Sequence, residues 1–228
     1  MGTVLEAQDL NAVRTVAIKK MLQGRGATAE GQFRFQQEAR VMGFLEHPNI
    51  VPMHELGVNE KGVPYYTMKH VRGETLQRVL SAIKAGDVDM IREYRLGRLL
   101  GVFQKICDAM AFAHSKGVVH RDLKPENILI GEFGEVMVMD WGLAKLMQDS
   151  PLRLGFLGFV PDVLHVDVPV DSPVDDEAVS ESGRFYTRDG SVIGTPNYMP
   201  PEQAEGRLAE IDHRADIYAL GITLLFLL

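Results

Sequence analysis

Five short stretches of the chain combine carboxylates, lysines and an amide, the residue types that neutralise and position phosphate groups. They are Val16-Ala-Ile-Lys19, Glu38, His120-Arg-Asp-Leu-Lys-Pro-Glu-Asn127, Asp140-Trp-Gly142, and Gly194-Thr195 followed by Met199-Pro-Pro-Glu202. Carboxylate and phosphate oxygens are also the ligands that a hard cation such as Mg²⁺ prefers. Any one of these residues alone is more often an ordinary strand-end, helix-surface or turn residue. All five stretches in one order make coincidence negligible.

In this order and spacing the stretches resemble the motifs of protein kinases, whose catalytic loop reads H-R-D-L-x-x-x-N. The segment from Phe112 to Asn127 is most similar to bacterial serine/threonine kinases, and the resemblance covers essentially the whole chain. The sequence is therefore identified as a member of the protein kinase superfamily, with a bacterial-type serine/threonine protein kinase catalytic domain. The implied reaction is transfer of the γ-phosphate of ATP, with Mg²⁺, to Ser or Thr hydroxyls of protein substrates.

The resemblance assigns roles to the residues that would act on the transferred phosphoryl group. Asp122 would accept or orient the proton of the substrate hydroxyl, and Lys124 would stabilise the charge of the phosphoryl group. Thr195 would bridge to Asp122 and Lys124. In the family, this lysine together with the Gly-Thr pair marks specificity for Ser and Thr rather than Tyr.

A second set of residues would hold the phosphates of ATP and the metal. Lys19 would bind the α- and β-phosphates and would itself be held by an ion pair with Glu38 on the first helix. Asp140 would ligate Mg²⁺, and Asn127 would complete a second metal site. These assignments are implied by the resemblance and by the chemistry of phosphoryl transfer, which needs positioning and charge neutralisation.

The nucleotide site is assigned by the resemblance together with apolar character. The adenine would be sandwiched by Val4, Ala17 and Leu129, with Met68 as the gatekeeper. Backbone hydrogen bonds in the hinge would come from Lys69 and Val71. Gly2 would be the last glycine of the phosphate-covering loop. Leu56, Met42, His120 and Trp141 match the stack of side chains that links the two lobes, and Asp216 matches the residue that anchors the catalytic loop.

The elements that must position these residues follow from hydrophobic periodicity and from turn residues. Strands are predicted over Thr3–Ala7, Arg14–Lys20, Ile50–Val58, Val63–Val71, Ile128–Ile130 and Val136–Met139. Helices are predicted over Gln32–Leu45, Glu74–Ala85, Arg92–Lys116 and Ala215–Leu228. Gly117 is expected to end the long helix in the left-handed conformation.

The predicted fold class is α+β, a two-lobed protein-kinase-like fold. A small antiparallel β-sheet with one helix would form the N-lobe over residues 1–68, followed by a hinge at 69–73 and a mostly helical C-lobe at 74–228. The resemblance also implies a fold that is incomplete at both termini. The first strand and most of the glycine-rich loop would precede Met1, and helices that pack around Ala215–Leu228 would follow Leu228.

Two departures from the family pattern bear on regulation. Trp141 replaces the usual phenylalanine after the metal-binding aspartate. Because an aromatic apolar side chain is kept, the Mg²⁺ role of Asp140 is expected to persist, whereas the family's switching of active and inactive states by this residue is not carried over. The segment from Asp140 to Glu202 is unusually long, and about 146–191 is interpreted as an insertion. Residues 140–190 carry −6 of the net charge of −7, so the insertion has the composition of a solvated loop.

Arg121 before the catalytic aspartate indicates, within the family, control by a phosphate on this segment. The candidate phosphate acceptors are Thr187, Ser191, Ser180 and Ser182. Autophosphorylation near Thr187 or Ser191 is the hypothesis. These residues lie closest to Gly194 and outside the acidic run at 162–181, which holds seven acidic side chains and no Lys or Arg. The alternative is an insertion without a regulatory role.

Composition excludes several other classes. A net charge of −7 argues against nucleic-acid binding, a single cysteine excludes an internal disulfide, and no apolar run is long enough to span a membrane. The predicted location is the cytoplasm, although a longer parent protein could be tethered to a membrane.

The alternative function is a truncated, catalytically weak kinase-like fragment that acts as a nucleotide-binding or scaffold module. A small-molecule kinase of the aminoglycoside type is disfavoured by the Gly-Thr and Pro-Pro-Glu segment.

Overall fold

The first strands of the chain form a four-stranded antiparallel sheet in the order β1-β2-β4-β3. This is seen in a computed structural model, which describes residues 2–21, 29–152 and 196–228. The strands are β1 (Gly2–Asp9), β2 (Arg14–Met21), β3 (Met53–Val58) and β4 (Pro64–Lys69), and helix α1 (Ala29–Phe44) lies between β2 and β3 in the chain. In the register of β2 with β4, Ala17 lies opposite Met68 and Lys19 lies opposite Tyr66.

The inner face of this sheet follows from the alternation of side chains along a strand. On β4, Pro64 and Tyr66 are buried, whereas Tyr65 and Thr67 are only half-buried. The turn between β3 and β4 is shaped by Asn59, whose side-chain oxygen accepts hydrogen bonds from the backbone of Lys61 and Val63. The resulting hairpin brings Lys69 and the residues after it to one end of the sheet.

The rest of the described chain is mainly helical. The helices are α2 (Leu76–Lys84), α3 (Val88–Glu93), α4 (Leu96–Ser115), α5 (Pro201–Ala204) and α6 (Arg214–Leu227). The short strands are β5 (Gly73–Thr75), β6 (Val118–Val119), β7 (Ile128–Gly131), β8 (Val136–Val138) and β9 (Lys145–Leu146). They form a three-stranded sheet in the order β5-β7-β8 and a separate pair of β6 with β9.

One hydrophobic core joins the sheet to the helices. It runs from Phe35 on α1 and Tyr66 on β4 through Trp141 to Ala219 on α6. The backbone reinforces this junction, because Val51 N donates to Val138 O at 3.1 Å and Val138 N donates to Asn49 O at 2.8 Å. Strand β8, which ends just before Asp140, is thereby fixed to the segment that precedes β3.

The observed elements confirm the α+β class, while several boundaries differ from those predicted. The helix predicted over Arg92–Lys116 is two helices, because Arg95 has an extended backbone and the side chain of Asp87 caps a separate helix α3. Glu74 and Thr75, predicted as the start of a helix, belong instead to strand β5 (Gly73–Thr75), and Thr75 caps α2 by accepting from Arg78 N. Gly117 ends α4 with a φ of 66°, as predicted.

Some predictions fall on residues outside the described ranges. They concern Thr195, the four candidate phosphate acceptors Thr187, Ser191, Ser180 and Ser182, and most of the interpreted insertion at 146–191. The boundaries of the two lobes and of the hinge stay predictions. Within the described ranges, no helix combines the length and apolar character that crossing a membrane requires.

Candidate active site

Lys19 on β2 and Glu38 on α1 form a buried ion pair. Lys19 Nζ lies 2.5 Å from Glu38 Oε1, and the two side chains are 13% and 7% exposed. Tyr66 contributes a second donor, since its hydroxyl donates to the same oxygen at 2.8 Å. Burial, and then the nearby Glu38 carboxylate, raise the pKa of Tyr66, so its hydroxyl stays protonated and can donate. Motif reasoning missed Tyr66, because its place opposite Lys19 depends on the register of β2 with β4.

Lys19 also approaches the carboxylate of Asp140. Its Nζ lies 3.7 Å from Asp140 Oδ1, and the Asp140 side chain is 46% exposed. Asp140 comes two residues after the end of β8 and has a φ of 64°, a left-handed conformation that aspartate tolerates better than most residues. The amine of Lys19 therefore lies between one buried carboxylate, Glu38, and one accessible carboxylate, Asp140.

The catalytic-loop residues predicted from the motif lie together. Lys124 Nζ donates to both carboxylate oxygens of Asp122, at 2.8 Å and 3.1 Å. Asn127 Nδ2 donates to the Asp122 backbone oxygen at 2.8 Å and to its Oδ2 at 3.2 Å. A single 3₁₀ turn over Pro125–Asn127 brings Asn127 back to Asp122. The carboxylate of Asp122 is thus oriented by a cation and an amide from its own loop.

The backbone of this loop is anchored by Asp216 on α6. Asp216 Oδ2 accepts from His120 N at 2.8 Å and Oδ1 accepts from Arg121 N at 2.9 Å. Arg121 has a φ of 66°, an unfavourable conformation for a residue with a Cβ atom, which persists only where the surroundings impose it. The hydrogen bond to Asp216 holds the backbone of Arg121 in this conformation, and Arg121 is the residue directly before Asp122.

His120 connects the loop to the segment around Asp140. Its Nδ1 accepts from Asp122 N at 3.2 Å, so Nε2 carries the hydrogen and donates to Met139 O at 3.1 Å. Its ring packs on Trp141, with 4.6 Å between ring centroids. Trp141 is 1% exposed, and its indole nitrogen is buried with no hydrogen-bond partner within the described residues. Tryptophan at this position therefore keeps the packing of an aromatic side chain.

The residues assigned to the adenine site are distributed over both sheets. Ala17 is buried and Met68 half-buried on facing strands, whereas Val4 is 51% exposed on β1 and Leu129 lies on β7. In the predicted hinge, Lys69 N donates to Pro52 O at 3.0 Å. Val71, the other predicted hinge contact, is half-buried against the core.

Gly2 is required by the close approach of β1 to β2. A Cβ atom at this position would lie 2.5 Å from Lys20 O, far inside the van der Waals limit. Gly2 lies opposite Met21 in the register of the two strands, so it is close to Lys19 as well. This glycine permits backbone approach beside the lysine that was predicted to bind phosphates.

Oxygen donors suitable for Mg²⁺ are present at Asp140 and Asn127. The two residues are close, because Met139 N donates to Asn127 O at 2.9 Å. The amide nitrogen of Asn127 is engaged by Asp122, which leaves its amide oxygen as the possible ligand. In the described part of the chain, no group of three or more His, Cys, Asp or Glu residues could hold a metal. This donor set fits Mg²⁺, which binds one or two protein oxygens together with substrate phosphates.

Two cationic side chains from separate elements, Arg34 on α1 and Lys145 on β9, each interact electrostatically with Arg121 of the catalytic loop. Burial lowers the pKa of Arg121 to about 10, with Asp216 opposing and Arg34 reinforcing the change, so it is still charged at neutral pH. Burial, and then Arg121, lower the pKa of Lys145. Lys145 Nζ is held by the carbonyls of Leu208 and Ile211, each at 2.8 Å. These charges favour a nearby anion.

A buried Lys-Glu pair, an accessible aspartate after a short strand and an anchored Asp-Lys-Asn loop define the catalytic architecture of protein kinases. The model of the protein kinase domain family matches residues 1–166, and the chain belongs to this family. Relatives include the serine/threonine-protein kinase PknD of Protochlamydia amoebophila, 38% identical over 232 residues, with 100% of this chain and 22% of the relative covered.

Similar relatives occur in other chlamydiae. PknD of Chlamydia felis is 35% identical over 232 residues, covering 98% of this chain and 22% of the relative. PknD of Chlamydia abortus is 34% identical over 229 residues, with the same coverage of 98% and 22%. The chain spans less than a quarter of the length of these curated relatives.

Proposed function

We propose that the chain is the catalytic domain of a protein serine/threonine kinase, which transfers the γ-phosphate of ATP to Ser or Thr hydroxyls of protein substrates. The observation that carries this proposal is the position of Lys19 between Glu38 at 2.5 Å and Asp140 at 3.7 Å. A buried carboxylate fixes the amine, and an accessible one faces the ligand. Nothing in the described residues favours the alternative of a nucleotide-binding or scaffold module without catalysis.

In this proposal the substrate hydroxyl oxygen attacks the γ-phosphorus, the bond to the β-phosphate oxygen breaks, and ADP leaves. Asp122 receives the hydroxyl proton, and Lys124, 2.8 Å from Asp122 Oδ2, neutralises charge on the transferred group. Lys19 binds the α- and β-phosphates. Thr195 completes the bridge to Asp122 and Lys124, and its place is an expectation from the motif.

Asp140 and Asn127 would hold Mg²⁺, which supplies charge neutralisation at the phosphates when it is bound. The adenine would lie between Val4 and Ala17 on one side and Leu129 on the other, beside Met68. The Lys69 carbonyl and the Val71 N–H would accept and donate its hydrogen bonds. Gly2 would allow strand β1 to approach the phosphates. The same proposal implies a cytoplasmic location, because ATP is supplied there.

A phosphoryl-transfer assay tests the proposal directly. The 228-residue chain is incubated with radiolabelled ATP, Mg²⁺ and a generic basic protein. We expect transfer by the wild type and a loss of about 10²–10⁴-fold in kcat for Asp122→Asn, the range for removal of a general base. Asp108→Asn, an exposed aspartate on α4, is the matched control and should keep full activity. Folded wild-type protein that binds ATP and transfers no phosphate would contradict the proposal and support the scaffold alternative.

We propose in addition that a phosphate on the long segment after Asp140 regulates this kinase. The support is Arg121, directly before Asp122: the charge of Arg34 lowers its pKa after burial has done so, and its own charge lowers the pKa of Lys145. Arginine binds phosphate in bidentate fashion, so Arg121 suits a phosphorylated side chain. The proposed acceptors are Thr187 and Ser191.

Phosphopeptide mapping after incubation with ATP tests this regulation. We expect phosphate on Thr187 or Ser191. The initial rate of modification per molecule should rise with protein concentration, as transfer between two copies requires. Phosphate confined to other regions would contradict the assignment. Double alanine replacement of Ser180 and Ser182, the two candidate acceptors farther from Gly194, is the control and should leave the rate unchanged.

A further inference from the structure

The start of the long segment after Asp140 is attached to the C-terminal end of α4 by the buried side chain of Ser150. Ser150 is 2% exposed, and its hydroxyl donates to Lys116 O at 2.8 Å. Lys116 caps the C-terminus of α4, where the last carbonyls of a helix have no partner within the helix. Beside this bond, Met147 N donates to Gly117 O at 2.8 Å and extends the pairing of β9 with β6.

The contact between Ser150 and the end of α4 is too close to accept a larger group. A Cβ atom on Gly117 would lie 2.9 Å from both the Cα and the Cβ atom of Ser150. Gly117 also has a φ of 66°, so glycine is required at this position by its backbone conformation as well as by the approach of Ser150. An unmodified serine hydroxyl fits here, whereas a phosphorylated one does not.

We propose that Ser150 is a latch for the start of the long segment, and a modification site at which phosphate opens that latch. The inference rests on the proposed kinase function for the source of the phosphate, and the site is separate from the proposed acceptors Thr187 and Ser191. When the segment undocks, Ser150 Oγ can bond to the γ-phosphorus of ATP held by a second copy. The bond to the β-phosphate oxygen breaks, ADP leaves, and Asp122 of that copy takes the hydroxyl proton.

The charge of a phosphate opposes docking in addition to its size. Phosphoserine carries about −1.5 to −2 charges at neutral pH, and the C-terminus of a helix is the negative end of the helix dipole. The amine of Lys116 is engaged elsewhere, because it lies over the ring of Phe112, one turn back along α4, 5.6 Å from the ring centroid. A phosphate on Ser150 therefore keeps the segment in the undocked state, to which the modification gave access.

Amide hydrogen exchange tests the latch without reference to activity. The wild type is compared with Ser150→Ala and with a chain that carries phosphoserine at position 150, introduced during translation. The Met147 N–H should exchange about two- to tenfold faster in Ser150→Ala, the range for one lost hydrogen bond, and at least about tenfold faster again in the phosphoserine chain.

Phosphoserine at position 115 is the matched control for this exchange experiment. Ser115 lies in the last turn of the same helix, but it is exposed, so a phosphate there adds the same charge without displacing Ser150. Its Met147 N–H should exchange at the wild-type rate. Wild-type exchange in the chain phosphorylated at position 150, or equal acceleration by phosphate at positions 115 and 150, would overturn the proposal.

Phosphopeptide mapping after incubation with ATP and Mg²⁺ tests the modification itself. Gly117→Ala forces Ser150 away from α4 and should raise the rate of phosphate incorporation at Ser150 at least about fivefold. Gly86→Ala is the control, because Gly86 has a φ of 84° and an added Cβ atom there would meet nothing within 4 Å. It should label Ser150 at the wild-type rate. Equal labelling of Ser150 in all three chains would contradict the proposal, as would its absence from Gly117→Ala while other residues are labelled.

The two experiments separate failure of the latch from failure of the proposed function. If no chain transferred phosphate, the proposed kinase function would fail, and exchange of the Met147 N–H in the phosphoserine chain would still decide whether phosphate opens the latch. The same measurement decides the matter if Gly117→Ala does not fold.

Discussion

At the residue scale, the position of Lys19 depends on how firmly Glu38 is held. One carboxylate oxygen of Glu38 accepts from both the Lys19 amine and the Tyr66 hydroxyl, and Glu38 is 5% exposed. A buried carboxylate with two donors has little freedom to rotate. Tyr66 therefore orients Glu38, and Glu38 orients Lys19, so the hydroxyl influences the phosphate-binding amine without contacting the proposed ligand.

We predict that Tyr66→Phe lowers kcat/KM for ATP by roughly 10–150-fold, which corresponds to a hydrogen bond to a charged group worth about 1.5–3 kcal/mol. The aromatic ring and its packing against Phe35 are retained, so the loss reports on the hydroxyl. Steady-state kinetics with varied ATP measures the effect. The neighbouring Tyr65 is the control, because its hydroxyl makes only a 3.5 Å contact with the exposed Glu55.

Tyr65→Phe should change kcat/KM by less than twofold. Equal losses in the two variants would show that the hydroxyl at position 66 has no particular role.

The difference between these tyrosines also shows which contacts could be predicted from sequence motifs. Asp122, Lys124 and Asn127 lie within six residues of one another, and their proximity was predictable from the loop alone. The hydrogen bond from Tyr66 to Glu38 joins residues 28 positions apart and needed the register of the sheet.

At the element scale, strand β5 attaches the segment after β4 to the sheet of β5, β7 and β8. Asn127 directly precedes β7 in this sheet, and Asp140 lies two residues after β8. Gly73 lies opposite Gly131 in the pairing of β5 with β7. A Cβ atom on Gly73 would lie 2.0 Å from Ile130 O and 2.8 Å from the Gly131 Cα atom. Both obstacles are backbone atoms in a hydrogen-bonded strand, so neither can move aside without disturbing β7.

Gly73→Ala should therefore lower the free energy of unfolding by about 1–3 kcal/mol, the usual cost of a forced backbone shift. Gly101→Ala is the control with the opposite sign. Gly101 lies in helix α4, where an added Cβ atom would meet nothing within 4 Å, and alanine there should stabilise by about 0.5–1 kcal/mol. Urea unfolding of the two variants and the wild type measures both effects. A stable Gly73→Ala variant would contradict the assigned contact between β5 and β7.

The element boundaries show where local pattern and tertiary structure disagree. The apolar spacing of α4 was visible in the sequence, and its six buried residues from Leu99 to Ala113 follow the helical period. The break before it was not visible, because Tyr94 and Arg95 are compatible with a helix interior, and their non-helical backbone conformation alone separates α3 from α4. Likewise β5 has three residues, too few for a periodic signal, and exists because β7 offers a partner.

At the scale of the whole molecule, the proposed ATP site lies where the first sheet meets the helical part of the chain. Lys19 comes from the first sheet, whereas Asp140 follows strand β8, which pairs with β7 in the second sheet. Direct links between the two parts, such as Val51 N to Val138 O, are few along the described backbone. A ligand that contacts both Lys19 and Asp140 should therefore stabilise the molecule as a unit.

We predict that saturating ATP with Mg²⁺ stabilises the wild type by about 2.7 kcal/mol at a hundredfold excess over Kd, by mass action. For a chain of this size each kcal/mol raises Tm by about 2–4 °C. In Asp140→Asn the part of the increase that requires Mg²⁺ should disappear, because the variant lacks the accessible carboxylate. Asparagine tolerates the φ of 64° at this position as well as aspartate does, so the backbone is not strained by the change.

Differential scanning fluorimetry with ATP alone, and with ATP and Mg²⁺, separates the two contributions. Asp108→Asn, which removes an exposed carboxylate from α4, should respond like the wild type. An equal Mg²⁺-dependent increase in Asp140→Asn and the wild type would show that the metal is held elsewhere. Because Lys19 loses the nearby charge of Asp140 in this variant, binding of ATP without metal should be retained or strengthened, which distinguishes a lost metal ligand from a damaged nucleotide site.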